Sequence, residues 1–148
     1  MALTSTSPTR TQLDVGLLIL RVVTGIVMFA HGYQKVFTFG IAGVTGSFTH
    51  MGVPMPGISA PLVAFVELLG GLALILGILT RLAAIPIAID MLGAILLVHL
   101  KNGFFAPSGY EFPLTLMSVA LALALLGPGA YSVDGAIERR RTGGGEIR

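Results

Sequence analysis

The sequence predicts an all-α integral membrane protein, built as an antiparallel bundle of four transmembrane helices with a short interfacial helix between spans one and two. Charged residues make up only 11% of the 148 residues, whereas a soluble domain carries about 25%. Such a chain cannot cover a water-facing surface with charge. Much of the chain belongs to four separate apolar stretches, at Val15–Ala30, Leu62–Leu79, Leu82–Leu100 and Phe112–Leu126.

The composition excludes several functional classes. The low charge excludes a soluble enzyme and a disordered tail, and a net charge of +2 is too small for a nucleic-acid partner. The chain has no cysteine, which excludes thiolate catalysis, persulfide carriage, iron–sulfur clusters and cysteine-ligated zinc within it. The lipid bilayer is the partner that the composition indicates.

The four apolar stretches are predicted to be helices because lipid offers no partner to unpaired backbone groups, and four strands cannot close a barrel. Crossing the hydrocarbon takes about 20 helical residues. The first stretch reaches that length from Leu13 to Gly32, and the fourth does so if it starts near Tyr110. Thr80-Arg81 is the whole turn between spans two and three, so these two helices must be antiparallel neighbours.

The long segment between spans one and two is predicted to contain a short amphipathic helix that lies in the membrane interface. Gly40 precedes this piece and Gly52 follows it. A structured re-entrant loop is the alternative. Apolar residues recur there at helical spacing, at Ile41, Val44, Phe48 and Met51.

The basic residues predict the orientation of the bundle. Six arginines flank the spans on one side and two lysines on the other, and basic residues favour the cytoplasmic side. We therefore expect a multi-pass protein of a bacterial or archaeal cell membrane, with both termini in the cytoplasm. Its parts are a cytoplasmic N-terminal segment 1–12, a membrane domain 13–127 and a cytoplasmic basic tail 128–148. The arginines are Arg10, Arg81, Arg139, Arg140, Arg141 and Arg148, against Lys35 and Lys101.

Three ionisable residues lie deep inside the predicted spans, and such residues are candidate functional groups. At 1.5 Å per residue, Arg21 and Asp90 sit about 12 Å above the inner surface. Glu67 lies nearer the outer half, within reach of an extended arginine side chain. We therefore predict a structural ion pair of Arg21 with Glu67 or Asp90, or a triad of all three. These ions either take part in chemistry or only hold the bundle together.

A second polar group gathers near the outer surface and predicts a ligand pocket that opens toward the outer leaflet. Its walls are expected from the ends of spans one, three and four and the upper half of span two, with segment 40–56 as a lid. Asp90 and His99 are nine residues apart, about half a turn out of phase, so we expect them to face different surfaces. The predicted ligand-binding residues are His31, Lys35, Glu67, His99, Phe104, Phe105 and Glu111.

The two histidines raise the question of a metal or haem site. His31 and His99 are predicted at a similar height, and Glu67 adds a third ligand type. No close spacing such as His-x-x-x-His supports a metal, and the sequence carries no fingerprint for haem or flavin. We therefore expect no metal, haem or flavin site and assign the histidines as hydrogen-bonding groups.

Several short motifs occur in order between about residues 14 and 137. They are His31-Gly32-Tyr33-Gln34-Lys35-Val36-Phe37, Met51-Gly52-Val53-Pro54, Glu67-Leu68-Leu69-Gly70-Gly71, Gly77-Ile78-Leu79-Thr80-Arg81, His99-x-x-Asn102-Gly103-Phe104-Phe105, Gly109-Tyr110-Glu111-Phe112-Pro113 and Ser132-Val133-Asp134. This set of motifs resembles the DoxX family of small four-helix membrane proteins, which is similar to the small membrane subunit of thiosulfate:quinone oxidoreductase. Asp90 is not part of the pattern.

The resemblance implies contact with quinone more readily than sulfur chemistry, together with links to oxidative stress and to soluble redox proteins. Our first hypothesis is accordingly a quinone-contacting membrane subunit of an oxidoreductase complex, which needs a redox partner because it has no electron-carrying cofactor of its own. The second is a non-catalytic scaffold or chaperone-like protein that recruits redox partners. It takes the place of the first if His31, Glu67 and His99 do not converge on one cavity. The third is a small-molecule transporter, which would need a homo-oligomer because four spans enclose little volume.

Overall fold

The computed structural model describes residues 7–143, and within them the chain forms helices and no strands. Two of the helices continue into π-helical turns, Gln34–Thr38 and Ile95–His99, and the second is followed by the short 3-10 turn Leu100–Asn102. The predicted all-α class is confirmed. The α-helices are α1 (Arg10–Tyr33), α2 (Gly40–Met51), α3 (Pro56–Leu76), α4 (Thr80–Ala94), α5 (Glu111–Leu126) and α6 (Val133–Gly143).

Three helical units of the described chain are long and apolar enough to cross a membrane. They span Arg10–Thr38, Pro56–Leu76 and Thr80–Asn102. The fourth predicted span corresponds to α5, which has 16 residues and is shorter than the roughly 20 that a full crossing takes. The outer surface of the bundle is apolar, as a lipid-facing surface must be, and Leu125 is 76% exposed.

The helix ends are explained by local sequence. Thr9 and Gln12 form a capping box at the start of α1, in which each side chain accepts the other residue's backbone N–H. Proline at the first position of α3 suits a helix start, where its missing N–H costs nothing. Gly52 and Gly77 end α2 and α3 in the left-handed conformation, with φ values of 75° and 69°, which glycine adopts without a steric penalty.

Glycines bring the backbones of α1 and α3 into direct contact. A Cβ built on Gly32 would collide with the backbone of Leu68, and one on Gly71 would collide with that of Phe29. A Cβ on Gly25 would lie 2.8 Å from the carbonyl oxygen of Gly71. Small residues at helix contacts are the common packing solution in membranes. The contact fixes the register of the two helices, and with it the level of the polar side chains on each.

The buried core joins α1 and α3 to the α4–α5 pair. α1 and α3 each contribute one large apolar side chain to its centre, while α4 and α5 contribute both large side chains and alanines, which pack closely together. The buried members are Met28, Leu74, Ala84, Ile87, Ala88, Met91, Leu116, Ala120 and Leu123.

The segment after α5 is held against the inner end of the bundle. The Asp134 carboxylate accepts the backbone N–H groups of Leu79 and Thr80 at 3.0 and 3.1 Å, at the start of α4, where such groups have no partner within the helix. Asp14 accepts the N–H of Ala130 at 2.8 Å. The described part of the predicted tail, residues 128–143, therefore packs against the inner end of the bundle. Arg148 and the first six residues lie outside the described range.

Arg21 belongs to this inner end, and the predicted ion pair of Arg21 with Glu67 or Asp90 is wrong. Its guanidinium donates to the carbonyl oxygens of Leu74 at 2.7 Å, Ile75 at 3.0 Å and Tyr131 at 2.6 Å. The last carbonyls of a helix lack partners within it, and Arg21 lies beside those of α3. Glu67 is seven residues further out along α3 than Leu74, or about 10 Å. Both terminal nitrogens of the Arg21 guanidinium are therefore bound to carbonyl oxygens at the inner end and do not extend to Glu67.

Candidate functional site

Lys35 and Glu67 form an ion pair at the outer half of the bundle. The Lys35 Nζ lies 2.5 Å from the Glu67 Oε2, and the two side chains are 20% and 6% exposed. Lys35 belongs to the π-helical turn that follows α1, and Glu67 lies near the middle of α3. The contact at Gly32 puts the end of α1 at the level of Glu67. The structure therefore brings together two of the predicted site residues, in a pairing that sequence reasoning did not predict.

Asp90 lies at the same level on the neighbouring helix. Glu67 is ten residues before Gly77 at the end of α3, and Asp90 is ten residues after Thr80 at the start of α4. Both therefore lie about 15 Å from the inner turn. Asp90 and Lys35 line the same cavity, and Lys35 is paired with Glu67, so one cation and two carboxylates form a single cluster.

A cavity of about 560 Å³ lies beside this cluster, between α2, α3 and α4. Its volume falls within the range of sites for small molecules. Leu62, Ile89 and Leu97 line it and are also exposed on the outside of the bundle. The cavity therefore opens sideways toward the surface that lipid covers. Its polar wall residues are Lys35, Ser59, Asp90 and His99.

Asp90 and His99 line the same cavity, so the expectation that they face different surfaces is wrong. The reason is the π-helical turn Ile95–His99. A π turn takes more residues than an α turn because its hydrogen bonds run from i to i+5. The residues after it are rotated relative to a continuous α-helix, and His99 returns to the side of Asp90. Single π turns inside α-helices are frequent at functional sites.

Residues with little bulk leave room for the cavity on the α4 side. Gly93 lines it, and a Cβ built there would meet no atom within 4 Å. Pro86 lines it as well. On the other side, α2 contributes Phe48 and Met51 to the wall. The segment predicted as a lid thus supplies part of the enclosure.

His99 is held by the loop that follows it. Its Nδ1 lies 2.8 Å from the carbonyl oxygen of Ser108. A carbonyl oxygen only accepts, so this ring nitrogen carries the hydrogen. In the neutral ring the other nitrogen, Nε2, is then an acceptor.

Four predicted site residues do not reach the cavity. His31 is exposed, and its ring centre lies 6.3 Å from that of Phe112. Phe104 packs edge-on against Phe105, which is 77% exposed. Glu111 accepts the N–H of Ala106 at 2.7 Å and so stabilises the 103–110 loop.

The prediction of which residues line the pocket is therefore wrong. His31, Glu67 and His99 do not converge on one cavity, since His99 lines it, Glu67 adjoins it through Lys35, and His31 lies elsewhere. The physical reason is that α5 packs on α4, away from the cavity, while the loop before it folds onto itself through backbone hydrogen bonds. The walls come instead from α2, α3 and α4.

Sequence reasoning predicted segment 40–56 only as a lid, so it missed that α2 forms a wall of the cavity, and it missed the role of Asp90 as a cavity residue. The signal for α2 was present, because Val44, Phe48 and Met51 recur on one face of a helix and need a neighbour to cover them. No comparable signal marked Asp90 as a wall residue, since its orientation relative to His99 depends on the π turn. Within residues 7–143, no group of three acidic, histidine or cysteine side chains is arranged to hold a metal ion.

Membrane-length apolar helices and an apolar outer surface define a small helical membrane protein, in which a cavity lies next to buried ions. The chain belongs to the DoxX family, whose family model matches residues 16–100. The resemblance seen in the sequence motifs is thereby confirmed. No solved structure gives a significant match to this chain.

Three bacterial relatives align with most of the chain. CatD of Bacillus subtilis (strain 168), named provisionally as an oxidoreductase, is 35% identical over 111 residues, which is 74% of this chain and 79% of CatD. The membrane protein Rv3486 of Mycobacterium tuberculosis is 35% identical over 134 residues, covering 83% and 82% of the two chains. The inner membrane protein YqjF of Escherichia coli is 36% identical over 129 residues, covering 86% and 95%. These names agree with a membrane protein.

Proposed function

We propose that this chain binds a quinone-class molecule in the cavity between α2, α3 and α4, as the membrane subunit of a redox complex. The observation that carries the proposal is the combination of an apolar, ligand-sized cavity with Lys35, Asp90 and His99 in its wall. Small-molecule sites are mostly apolar and have a few polar groups that orient the ligand. The oxidoreductase name of CatD supports the same class of activity.

The cavity residues fit a quinone in three respects. The Lys35 ammonium has three hydrogens and donates one of them to Glu67, so a ligand oxygen can receive another. Asp90 and His99 supply further polar contacts. The apolar wall and the opening between α3 and α4 suit a hydrocarbon tail that enters from the bilayer. When bound, a quinone supplies the capacity to take up electrons and protons.

The electrons come, in this proposal, from a soluble redox protein. The chain has no cysteine and no motif for an electron-carrying cofactor, so it depends on a partner for electron supply. With both termini in the cytoplasm, α6 and its exposed arginines face that partner.

A scaffold without catalysis is the second candidate, and two findings favour it. His31, Glu67 and His99 do not converge on one cavity, which removes the quinone pocket expected from the sequence, so the quinone proposal now rests on the different cavity between α2, α3 and α4.

The inner end of the bundle is the second finding. Hydrogen bonds to Asp134 and Asp14 fix the segment after α5 at this end. α6 therefore has a fixed position, and its Arg140 and Arg141 are exposed. Such a basic surface suits an acidic partner protein. In this case the cavity is filled by lipid and carries no redox ligand.

Mass spectrometry of lipids and quinones retained by the purified protein distinguishes the two candidates. Gly93→Leu fills the cavity, because a side chain there extends into open space. Gly16→Leu is the matched control, since a Cβ at Gly16 also meets no atom within 4 Å but this residue does not line the cavity. We expect quinone with the wild type and with Gly16→Leu, and its loss with Gly93→Leu. No quinone with the wild type, or equal retention by both variants, would contradict the proposal.

A further inference from the structure

Asp90 carries an acceptor oxygen that the described part of the chain does not satisfy. Its Oδ2 is buried without a hydrogen-bond partner, whereas Glu67 at the same level is paired with Lys35. Burying a carboxylate without a partner is costly. Asp90 also lines the cavity, so a molecule bound there can contact its carboxyl group.

The charge of the cluster limits what that partner can be. Lys35 faces two carboxylates and is already paired with Glu67, so an anionic ligand is repelled. While Asp90 is ionised, its carboxylate only accepts hydrogen bonds, and the apolar walls admit a neutral molecule. In that state the ligand group next to Asp90 is a neutral donor, of which a hydroxyl is the simplest.

Resting on the proposed quinone site, we infer that Asp90 makes the cavity selective for the reduced, hydroxyl-bearing form of the ligand. A quinone presents only carbonyl oxygens, which oppose the oxygens of Asp90. The corresponding hydroquinone has two hydroxyl groups, so one donates to Asp90 while the oxygen of the other accepts from Lys35. His99 acts in the same direction when its ring is neutral, because Nδ1 donates to Ser108 and Nε2 is then an acceptor.

The test compares the two oxidation states of one short-tailed benzoquinone. The protein in lipid nanodiscs is incubated anaerobically with equal amounts of quinone and hydroquinone, desalted, and analysed for both forms by mass spectrometry. A hydrogen bond to a charged group predicts a preference of about tenfold or more for the hydroquinone. Asp90→Asn adds an N–H donor that suits a carbonyl, so the ratio should fall toward one. Asp14→Asn is the matched control and should leave the ratio unchanged, because Asp14 binds Ala130 at the inner end.

The outcomes separate this inference from the proposal on which it rests. Retention of both forms in equal amounts by the wild type, or a preference for the quinone, overturns the selectivity and leaves the quinone site standing. Retention of neither form overturns both. The wild-type ratio decides the matter even if Asp90→Asn does not fold.

Discussion

Lys35 and Glu67 tie the end of α1 to the middle of α3 through an ion pair of 2.5 Å, and Lys35 stands between Glu67 and the cavity. The pair holds the ammonium at a fixed place in the cavity wall. The close contact of Gly32 with the backbone of Leu68 sets the distance between the two helices at this level. The packing of the two backbones thus positions Lys35, which is the one lysine or arginine among the described residues that line the cavity.

Replacing Glu67 by glutamine is expected to lower the free energy of unfolding by about 3 kcal/mol, because Lys35 keeps a charge that has lost its partner. The measurement is denaturant unfolding in detergent. Adding Lys35→Met should restore part of the stability, since the unmatched charge is then gone. Losses that simply add in the double variant would argue against direct pairing.

Arg21→Met should destabilise the inner end of the bundle by about 3 kcal/mol, because it removes three hydrogen bonds from a charged group to carbonyl oxygens. Hydrogen exchange should quicken in residues 127–143, which the Tyr131 contact helps to hold. Combined with Glu67→Gln, the two losses should add, as expected for residues that do not pair. A coupling energy well above about 0.5 kcal/mol would contradict the observed geometry.

Gly71→Leu is expected to separate α1 from α3 and to cost at least about 2 kcal/mol, because a side chain there meets the backbone of Phe29. Thermal unfolding in detergent measures the loss. Gly16→Leu, at an uncrowded site on α1, should melt within a few degrees of the wild type. Similar melting temperatures for the two variants would show that the helices do not rely on this contact.

The orientation predicts opposite labelling of two exposed positions in a chain that has no cysteine. Cysteine at Ser47 in α2 should react with a membrane-impermeant maleimide in intact cells. Cysteine at Thr142 in α6 should react only after the cells are permeabilised. Labelling of both positions in intact cells would refute the assignment of the C-terminal segment to the cytoplasm.

The helices were predictable because their signal is local. Apolar stretches of sufficient length, bounded by Gly52, Gly77 and the Thr80-Arg81 turn, define α3 and α4 without knowledge of any partner. Features that depend only on composition and periodicity along one helix were therefore visible in the sequence.

The partners of the buried ions were not predictable in the same way. Arg21 binds backbone carbonyls, and every residue has one, so the sequence does not show where an unpaired carbonyl lies. Lys35 looked like an interfacial residue, and only the register of α1 on α3 brings it to Glu67. The π turn before His99 depends on packing and has no residue pattern of its own, which is why Asp90 and His99 were expected on different surfaces.

Photoaffinity labelling in membranes tests the central claim most directly, because it locates a quinone on the chain. An azido-benzoquinone with a short alkyl tail is irradiated with the protein, and the crosslinked peptides are identified by mass spectrometry. We predict crosslinks within residues 59–66 and 86–99, which disappear in Gly93→Leu and persist in Gly16→Leu. Crosslinks confined to the 103–112 segment, or none above those of an unrelated membrane protein, would contradict a quinone site in this cavity.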